Sequence, residues 1–267
     1  MIIIGEKINA TRKSVAAALQ QRDEQFIIDL ATAQAQAGAD YIDLNGGDPR
    51  EGQEAENMKW LVELTQANTD VPLAIDSAAP DALEVGLSMA TEGSRPILNS
   101  ISLETDNLDK RLEILAKHDC MVIGLEMSDD GPPQGVNDRV DRAGELIEKF
   151  EACGKKSNDI IIDPCFFPVS ADGACGRAVI DAIAAIHATW PDIHIGGGCS
   201  NISFGLPKRK LVNFAGLAQA IYHGMDTGLI DPCTPGIVAA ILAAEAVAGR
   251  DDYCMNYINA ERQGILG

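Results

Sequence analysis

Short apolar segments rich in isoleucine, leucine and valine alternate with longer segments of mixed polarity from one end of the chain to the other. Continuous apolar runs of this length indicate buried strands. Between them, apolar residues recur every three to four positions, which predicts amphipathic helices. The predicted strands are residues 2–4, 41–44, 73–75, 96–98, 121–125, 160–162, 193–195 and 228–230, and the predicted helices are residues 26–37, 58–65, 81–90, 108–117, 138–153, 177–189, 211–223 and 235–248.

Eight strands that alternate with helices in a chain of 267 residues predict a single (β/α)8 TIM barrel. This α/β fold typically needs about 250 residues. No linker, low-complexity segment or change in composition divides the chain, so we expect one domain over residues 1–267. A doubly wound open sheet is the alternative, because alternation alone does not show that the sheet closes.

The helix predicted over residues 235–248 is apolar on nearly every side, since Ile237, Val238, Ile241 and Leu242 are accompanied mainly by alanines. A helix without a polar face needs cover on more than one side. Burial against a neighbouring helix satisfies this requirement. Burial in a subunit interface satisfies it equally and predicts a homodimer.

The composition is that of a globular chain, with 46% hydrophobic residues, 23% charged residues and a formal net charge of −19. Nucleic acids and anionic membranes attract basic surfaces, so we expect this acidic chain to bind neither of them. The N-terminus lacks the basic segment of a signal peptide. No apolar stretch approaches the roughly 20 residues that a membrane span requires.

Seven cysteines are scattered along the chain, none of them in a Cys-x-x-Cys pair, and there are four histidines. This pattern does not suit a structural zinc site. Because disulfides are rare in the cytosol, we interpret the cysteines as reduced thiols of a cytoplasmic protein.

Polar side chains follow the predicted strands at the ends where a barrel of this type carries its chemistry. Each one alone is explained as a turn former or a helix N-cap. Because the carboxyl ends of all eight strands meet at one mouth, we expect the side chains to converge on one cavity. These residues are Glu6 and Asn9 near the first strand, Asp43 and Asn45 near the second, Asp76, Asn99 and Asp163 after the third, fourth and sixth, and residues 196–205 after the seventh.

This set of carboxylates and amides favours one kind of ligand. The chain has neither a phosphate-binding G-x-x-x-x-G-K-[ST] loop nor a G-x-G-x-x-G fingerprint. Asp43, Asp76 and Asp163 could hold a hard cation through oxygen atoms. A flat heterocycle rich in N–H donors satisfies the set better, because carboxylates accept from an amino-pyrimidinone edge and amides serve both its donors and its acceptors. A pterin has such an edge.

The same residues resemble a known family. The segments are IGEKIN (4–9), DLNGG (43–47), AIDS (74–77), ILNS (97–100), IIDP (161–164) and GGCSNISFG (197–205). In this order and at these strand positions they resemble the pterin-binding methyltransferases. The nearest likeness is to the methyltetrahydrofolate:corrinoid-protein methyltransferases, which are related to the folate-binding module of cobalamin-dependent methionine synthase. The resemblance extends over nearly the whole chain and implies a homodimeric barrel.

The resemblance also implies roles for individual residues. Asp76, Asn99 and Asp163 would hydrogen-bond the pterin ring, and Glu6 and Asn9 match the family's polar pair after strand 1. Asn201 would lie near pterin N5, and Arg209 would lie beside the folate. The basic cluster 207–210 around Arg209 is either a solvated helix start or an attraction for the anionic glutamyl tail of folate. Glu126 and Ser128 depart from the residues that relatives often have at strand 5.

The implied activity is methyl transfer, in either direction, between N5 of tetrahydrofolate and cobalt. Asn201 and Asp76 would be the catalytic residues. The chain has no D-x-H-x-x-G cobalamin-binding motif, so cob(I)alamin or methylcobalamin would be carried by a separate corrinoid protein, and no resident metal is expected.

The alternatives are a dihydropteroate synthase and a non-catalytic pterin- or folate-binding protein. The chain departs from the first at strands 7 and 8. It has residues 196–201 where that family has its lysine, and Asp231-Pro232-Cys233 follows strand 8.

Overall fold

Eight parallel strands pair in sequential order, and β8 pairs back onto β1, so the sheet closes into a barrel. The computed structural model describes residues 1–266. The (β/α)8 prediction is confirmed, and the pairing of β1 with β8 excludes the open sheet. The strands are β1 (Ile2–Asn9), β2 (Tyr41–Asn45), β3 (Leu73–Asp76), β4 (Ile97–Leu103), β5 (Met121–Ser128), β6 (Ile160–Asp163), β7 (His194–Gly197) and β8 (Thr227–Ile230).

Helices surround the barrel and supply its outer layer. They are α1 (Lys13–Gln21), α2 (Glu24–Gln36), α3 (Gln53–Asn68), α4 (Pro80–Met89), α5 (Leu108–Lys117), α6 (Gly135–Ala152), α7 (Cys175–Thr189), α8 (Arg209–His223), α9 (Ile237–Val247) and α10 (Met255–Arg262). The sequence pattern did not predict α1 and α10. Both are short. Helix α10 buries only Ala260, whereas α1 buries Val15, Ala18 and Leu19 at helical spacing, a signal that was overlooked.

Several strands are longer than their apolar runs. β1 continues through Glu6 to Asn9 with an irregular register after Gly5, and β4 continues through Asn99 to Leu103. Backbone pairing with the neighbouring strands maintains the strand where the side chains have become polar. As a result Glu6, Asn9 and Asn99 lie within strands, whereas the sequence pattern predicted that they follow the ends of the strands.

Two apolar clusters make up the core. The smaller cluster fills the barrel and is formed by Ile4, Ala74, Ile97, Met121, Ile123 and Ile161. The larger one lies between the strands and the helices. For example, Phe150 of α6 is fully buried there and packs where Gly124 of β5 leaves room for its ring.

Helix α9 is covered on one side by the rest of the chain. Ile237, Ile241 and Ala244, which share a face, are buried, and the helix packs against α8 and α10. The predicted burial against a neighbouring helix is therefore confirmed for this face, although Val247 at the end of α9 is 80% exposed.

The structure also bears on the predicted cysteine chemistry. All seven cysteines are free thiols.

No helix within residues 1–266 combines the length and the apolarity that a bilayer crossing requires.

Candidate functional site

The polar residues at the barrel mouth continue the apolar stack of the barrel interior. Side chains two positions apart on a strand point to the same face. Each of four polar residues lies two positions beyond an interior residue of the small cluster: Glu6 after Ile4, Asp76 after Ala74, Asn99 after Ile97 and Asp163 after Ile161. These four side chains therefore point into the carboxyl-terminal mouth, as the sequence predicted.

Asp43, Asp76 and Asn99 form a hydrogen-bonded group at the base of the mouth. Asn99 Nδ2 donates to Asp43 Oδ1 over 2.9 Å, and the carboxyl groups of Asp43 and Asp76 are also in hydrogen-bond contact. Two amides, Asn45 Nδ2 at 3.0 Å and Asn9 Nδ2 at 3.4 Å, donate to Asp76 Oδ2. Burial raises the pKa of Asp76 to about 6, and burial together with the charge of Asp76 raises the pKa of Asp43 well above its usual range.

Asp163 lies against the glycines of β7. The backbone N–H group of Cys165 donates to its carboxylate over 2.9 Å, and the N–H group of Gly198 favours its ionised form. A Cβ at position 197 would overlap with this carboxylate, so only glycine allows Asp163 to reach its place. Burial raises the pKa of Asp163 to about 6, and its neighbouring N–H groups and Arg139 oppose that rise.

Glu6 lies at the rim of the mouth with basic neighbours. Its Oε1 is 3.5 Å from Arg12 Nη2. Burial raises the pKa of Glu6, and the positive charge of Arg12 opposes this. Next to it, Lys7 Nζ donates to Asp231 Oδ2 over 3.1 Å and so ties β1 to the loop after β8.

Asn201 and Arg209 lie on the segment that leaves β7. Asn201 is exposed in a short 3-10 helix, Cys199–Ser203, where its Nδ2 is 3.0 Å from the position that a Cβ on Gly198 would occupy. Arg209, the first residue of α8, donates from Nε to Ser203 Oγ (2.9 Å) and from Nη2 to the carbonyl oxygen of Ser200 (2.7 Å). Arg209 thus holds both sides of the turn that presents Asn201.

Arg209 also lines a cavity of about 300 Å³ at the rim. Glu6, Arg12, Lys210 and Asp231 are among the other lining residues. The cavity places positive guanidinium and ammonium groups next to the mouth, where an anionic part of a ligand could lie.

The two residues of β5 that depart from the resembled family do not share the face of the mouth residues. Gly124 faces Phe150 of α6, and Glu126, two positions further, faces the same side. Arg142 of α6 donates to the Glu126 carbonyl oxygen over 3.0 Å, and burial raises the pKa of the Glu126 carboxyl well above its usual range. Ser128 Oγ accepts from the backbone N–H of Asp130 in the following turn.

Asn45 was expected at the mouth and alternates with Asp43 along β2, but its hydrogen bond to Asp76 was missed. Gly197 was also missed, and only the three-dimensional contact with Asp163 reveals its role.

Across residues 1–266, no group of three or more histidine, cysteine, aspartate or glutamate side chains is arranged to hold a metal ion. The mouth instead offers a row of acceptors, with amides and N–H groups between them.

A comparison with protein families assigns the class that this barrel and its mouth define. The sequence profile of the pterin binding enzyme family matches residues 5–231. The chain belongs to this family.

A comparison with characterised proteins narrows the class. The chain is 36% identical to a methylcorrinoid:tetrahydrofolate methyltransferase from Eubacterium limosum over 269 aligned residues, covering 100% of this chain and 98% of the relative. The resemblance to folate–corrinoid methyltransferases is therefore confirmed. A methionine synthase from Mycobacterium tuberculosis is 27% identical over 86% of this chain, which spans about one fifth, 20%, of that longer protein.

Solved structures agree on the fold. A dihydropteroate synthase from Yersinia pestis, with a pterine-sulfa conjugate, superposes with a TM-score of 0.70 at 20% identity, covering 93% of each chain. The Clostridium difficile dihydropteroate synthase superposes with a TM-score of 0.71, also at 20% identity, over 92% of this chain and 96% of that one. At these identities the likeness concerns the barrel alone.

The contact between Gly197 and Asp163 gives a first prediction. Gly197→Ala should force the Asp163 carboxylate away and lower the free energy of unfolding by about 1–3 kcal/mol, the usual effect of overpacking a filled site. Gly173→Ala is the matched control, because a Cβ there would meet open space, and it should change stability by less than about 0.5 kcal/mol. Urea denaturation measures both. Equal stability of the two variants would show that Asp163 does not lie against β7.

Proposed function

We propose that the protein is a methyltransferase that moves a methyl group, in either direction, between N5 of tetrahydrofolate and the cobalt of a corrinoid held by a separate protein. The observation that carries this proposal is the convergence of Asp76, Asn99 and Asp163 on one barrel mouth. The full-length similarity to a methylcorrinoid:tetrahydrofolate methyltransferase supports the choice of both substrates. We assign this role to one pterin-binding barrel domain over residues 1–267.

In this proposal the pterin ring binds by its amino-pyrimidinone edge. The carboxylates of Asp163 and Asp76 accept from its N–H groups, and charge-assisted hydrogen bonds of this kind are the strong ones. Asn99 adds an amide contact, and Glu6 and Asn9 close the site from β1. Because these side chains are fixed by strands, the ring is held in one orientation with N5 towards Asn201.

The chemical step needs help at N5. The methyl carbon passes between N5 and cobalt, with N5 as the nucleophile in one direction and the leaving group in the other. An amine is a poor leaving group unless a hydrogen bond or a proton neutralises its developing charge. The Asn201 amide donates this hydrogen bond. The proton itself comes from water or through the network that Asp76 organises, because an amide does not ionise at neutral pH.

The surroundings of the mouth suit the two larger substrates. Arg209 and Lys210 line the rim cavity and would attract the anionic glutamyl tail of folate. The corrinoid protein would approach from the open side of the mouth, where Asn201 is exposed, and bring its cobalt to the methyl group.

The direct test mixes the pure protein with methyltetrahydrofolate and free cob(I)alamin and follows the cobalt absorption spectrum. Conversion to methylcobalamin that depends on the protein is the expected result. Methylcobalamin mixed with tetrahydrofolate should give the reverse change. If the protein binds folate but the cobalt spectrum does not change, with free corrinoid or with corrinoid held by a protein, the protein is not a methyltransferase. It would then be a non-catalytic folate-binding protein.

Asp163→Asn should weaken tetrahydrofolate binding because one charge-assisted hydrogen bond is lost, at about 1.5–3 kcal/mol or roughly 10–150-fold in affinity. Titration calorimetry measures this change. An unchanged affinity would reduce Asp163 to a turn residue.

The same variant should be more stable without ligand. Folding raises the pKa of Asp163 from 3.8 to about 6, so ionisation of this group opposes folding increasingly as the pH rises from about 4 to about 6 and fully above it. Asp163→Asn should therefore raise the free energy of unfolding at neutral pH by about 1–3 kcal/mol, and the gain should vanish as the pH falls towards about 4.

Asn201→Ala should slow methyl transfer more than it weakens folate binding, because its donor acts mainly in the transition state. Loss of one preorganised donor typically lowers a rate by about 10²–10³-fold. Rapid mixing at saturating folate separates the rate from the affinity. A variant with normal transfer and poor binding would make Asn201 an ordinary substrate contact.

We also propose that the protein acts as a cytoplasmic homodimer. The free thiols suit a reducing compartment. The exposed apolar side chains near the end of α9 suit an interface, namely Val247, Tyr253, Met255 and Ile258.

Light scattering at micromolar concentration should give the mass of two chains. Val247→Glu should shift it towards one chain, because burying the new charge would be unfavourable. Leu211→Glu, at an exposed position of α8, is the control and should leave the mass unchanged. A monomeric wild-type protein would refute the dimer.

A further inference from the structure

Asp43 is the most deeply buried acidic side chain of the mouth, and no role has yet been assigned to it. It is 1% exposed and lies on β2 below the residues that face the opening. The ionisable groups that face it are Asp76 on β3 and Glu6 on β1, both acidic. Asn99 on β4 is its amide neighbour.

Contact between the two carboxyl groups requires a proton. Two ionised carboxylates at hydrogen-bond distance repel each other, whereas one proton between them makes a hydrogen bond. Asp76 Oδ2 receives the amide N–H groups of Asn45 and Asn9, which stabilise a negative charge there. Asp43 receives only the amide of Asn99 and is more deeply buried. The proton therefore belongs on Asp43, which donates it to Asp76.

The arrangement around Asp43 also decides how Asn99 is turned. An asparagine amide has one donor end and one acceptor end. Since Nδ2 of Asn99 donates down to Asp43, its carbonyl oxygen is left for a ligand. Asp76, in turn, is kept ionised by the donors around it. Both residues then present acceptors to the mouth, which selects a ligand that carries N–H groups at these positions.

We propose that Asp43 is a positioning residue that remains a neutral carboxylic acid and, by donating to Asp76 and accepting from Asn99, fixes both as acceptors for the pterin edge. This inference rests on the proposed function for the identity of the ligand. Asp43 does not touch the pterin. Its burial, which raises its pKa well above the usual range, is consistent with the neutral form.

Two variants separate a neutral acid from an anion. Asp43→Asn keeps one donor for Asp76 and one acceptor for Asn99, so it should bind tetrahydrofolate within about threefold of the wild type. Asp43→Leu keeps the approximate size and loses both groups, so its affinity should fall about 10–100-fold, the effect of one or two misplaced hydrogen bonds. The comparison is made by titration calorimetry, after circular dichroism and thermal melting show that both variants are folded.

An independent measurement needs no ligand. The infrared spectrum of the free wild-type protein at neutral pH should contain a protonated carboxylic acid band that Asp43→Asn removes, separate from any band of the buried Glu126 carboxyl, which both proteins keep. If this band is unaffected by the substitution, or if a folded Asp43→Asn loses affinity as severely as Asp43→Leu, Asp43 acts as an anion and the proposal is overturned. Rescue by asparagine together with loss of the band supports it.

The two proposals fail in distinguishable ways. If the wild-type protein neither binds folate nor methylates cobalt, the proposed function is wrong, while the infrared band still tests the proton on Asp43. If the wild type is active and Asp43→Asn is not, the proposed function stands and the positioning role of a neutral Asp43 is wrong.

Discussion

Because side chains alternate along a strand and the barrel closes with β8 on β1, a polar residue two positions beyond an interior apolar residue must point into the mouth. The other features of the site depend on this constraint. It brings Asp76, Asn99 and Asp163, from three strands, to one opening above the apolar plug of the barrel. It also directs Glu126 towards α6, although Glu126 is as acidic as the residues of the mouth.

The mouth concentrates acidic groups in a poorly solvated place, which opposes folding and favours binding. Burial raises the pKa of both Asp76 and Asp163 to about 6, so at neutral pH the folded chain holds charges that would be better solvated in the unfolded state. The chain compensates only in part, with the amides of Asn9 and Asn45 and the backbone N–H groups beside Asp163. In the proposed function, the N–H groups of a pterin complete the compensation, which is why the site binds at the expense of stability.

Much of this organisation could be predicted from the sequence, because apolar runs and helical periodicity depend on local patterns. The eight strands, the preference for a barrel and the expected convergence of the strand-end residues followed from them, whereas closure of the sheet was shown only by the pairing of β1 with β8. Helix α10 was missed because it buries only Ala260, whereas the helical spacing of Val15, Ala18 and Leu19 in α1 was present in the sequence and was overlooked. The contact of Gly197 with Asp163 and the hydrogen bond between Asp43 and Asn99 join different strands, so they depend on register, which strand composition does not specify. The anchoring of the Asn201 turn by Arg209 likewise needed the structure, since the spacing between them suits a solvated helix start equally well.

A crystal structure of the protein with methyltetrahydrofolate tests the central claim most directly. The account predicts that the amino-pyrimidinone edge lies within hydrogen-bond distance of Asp76, Asn99 and Asp163, with N5 and its methyl group beside Asn201 and open to the solvent side of the mouth. The glutamyl tail should extend towards Arg209. A folate bound elsewhere, for example in the groove between α7 and α8 with the mouth carboxylates untouched, would contradict the account.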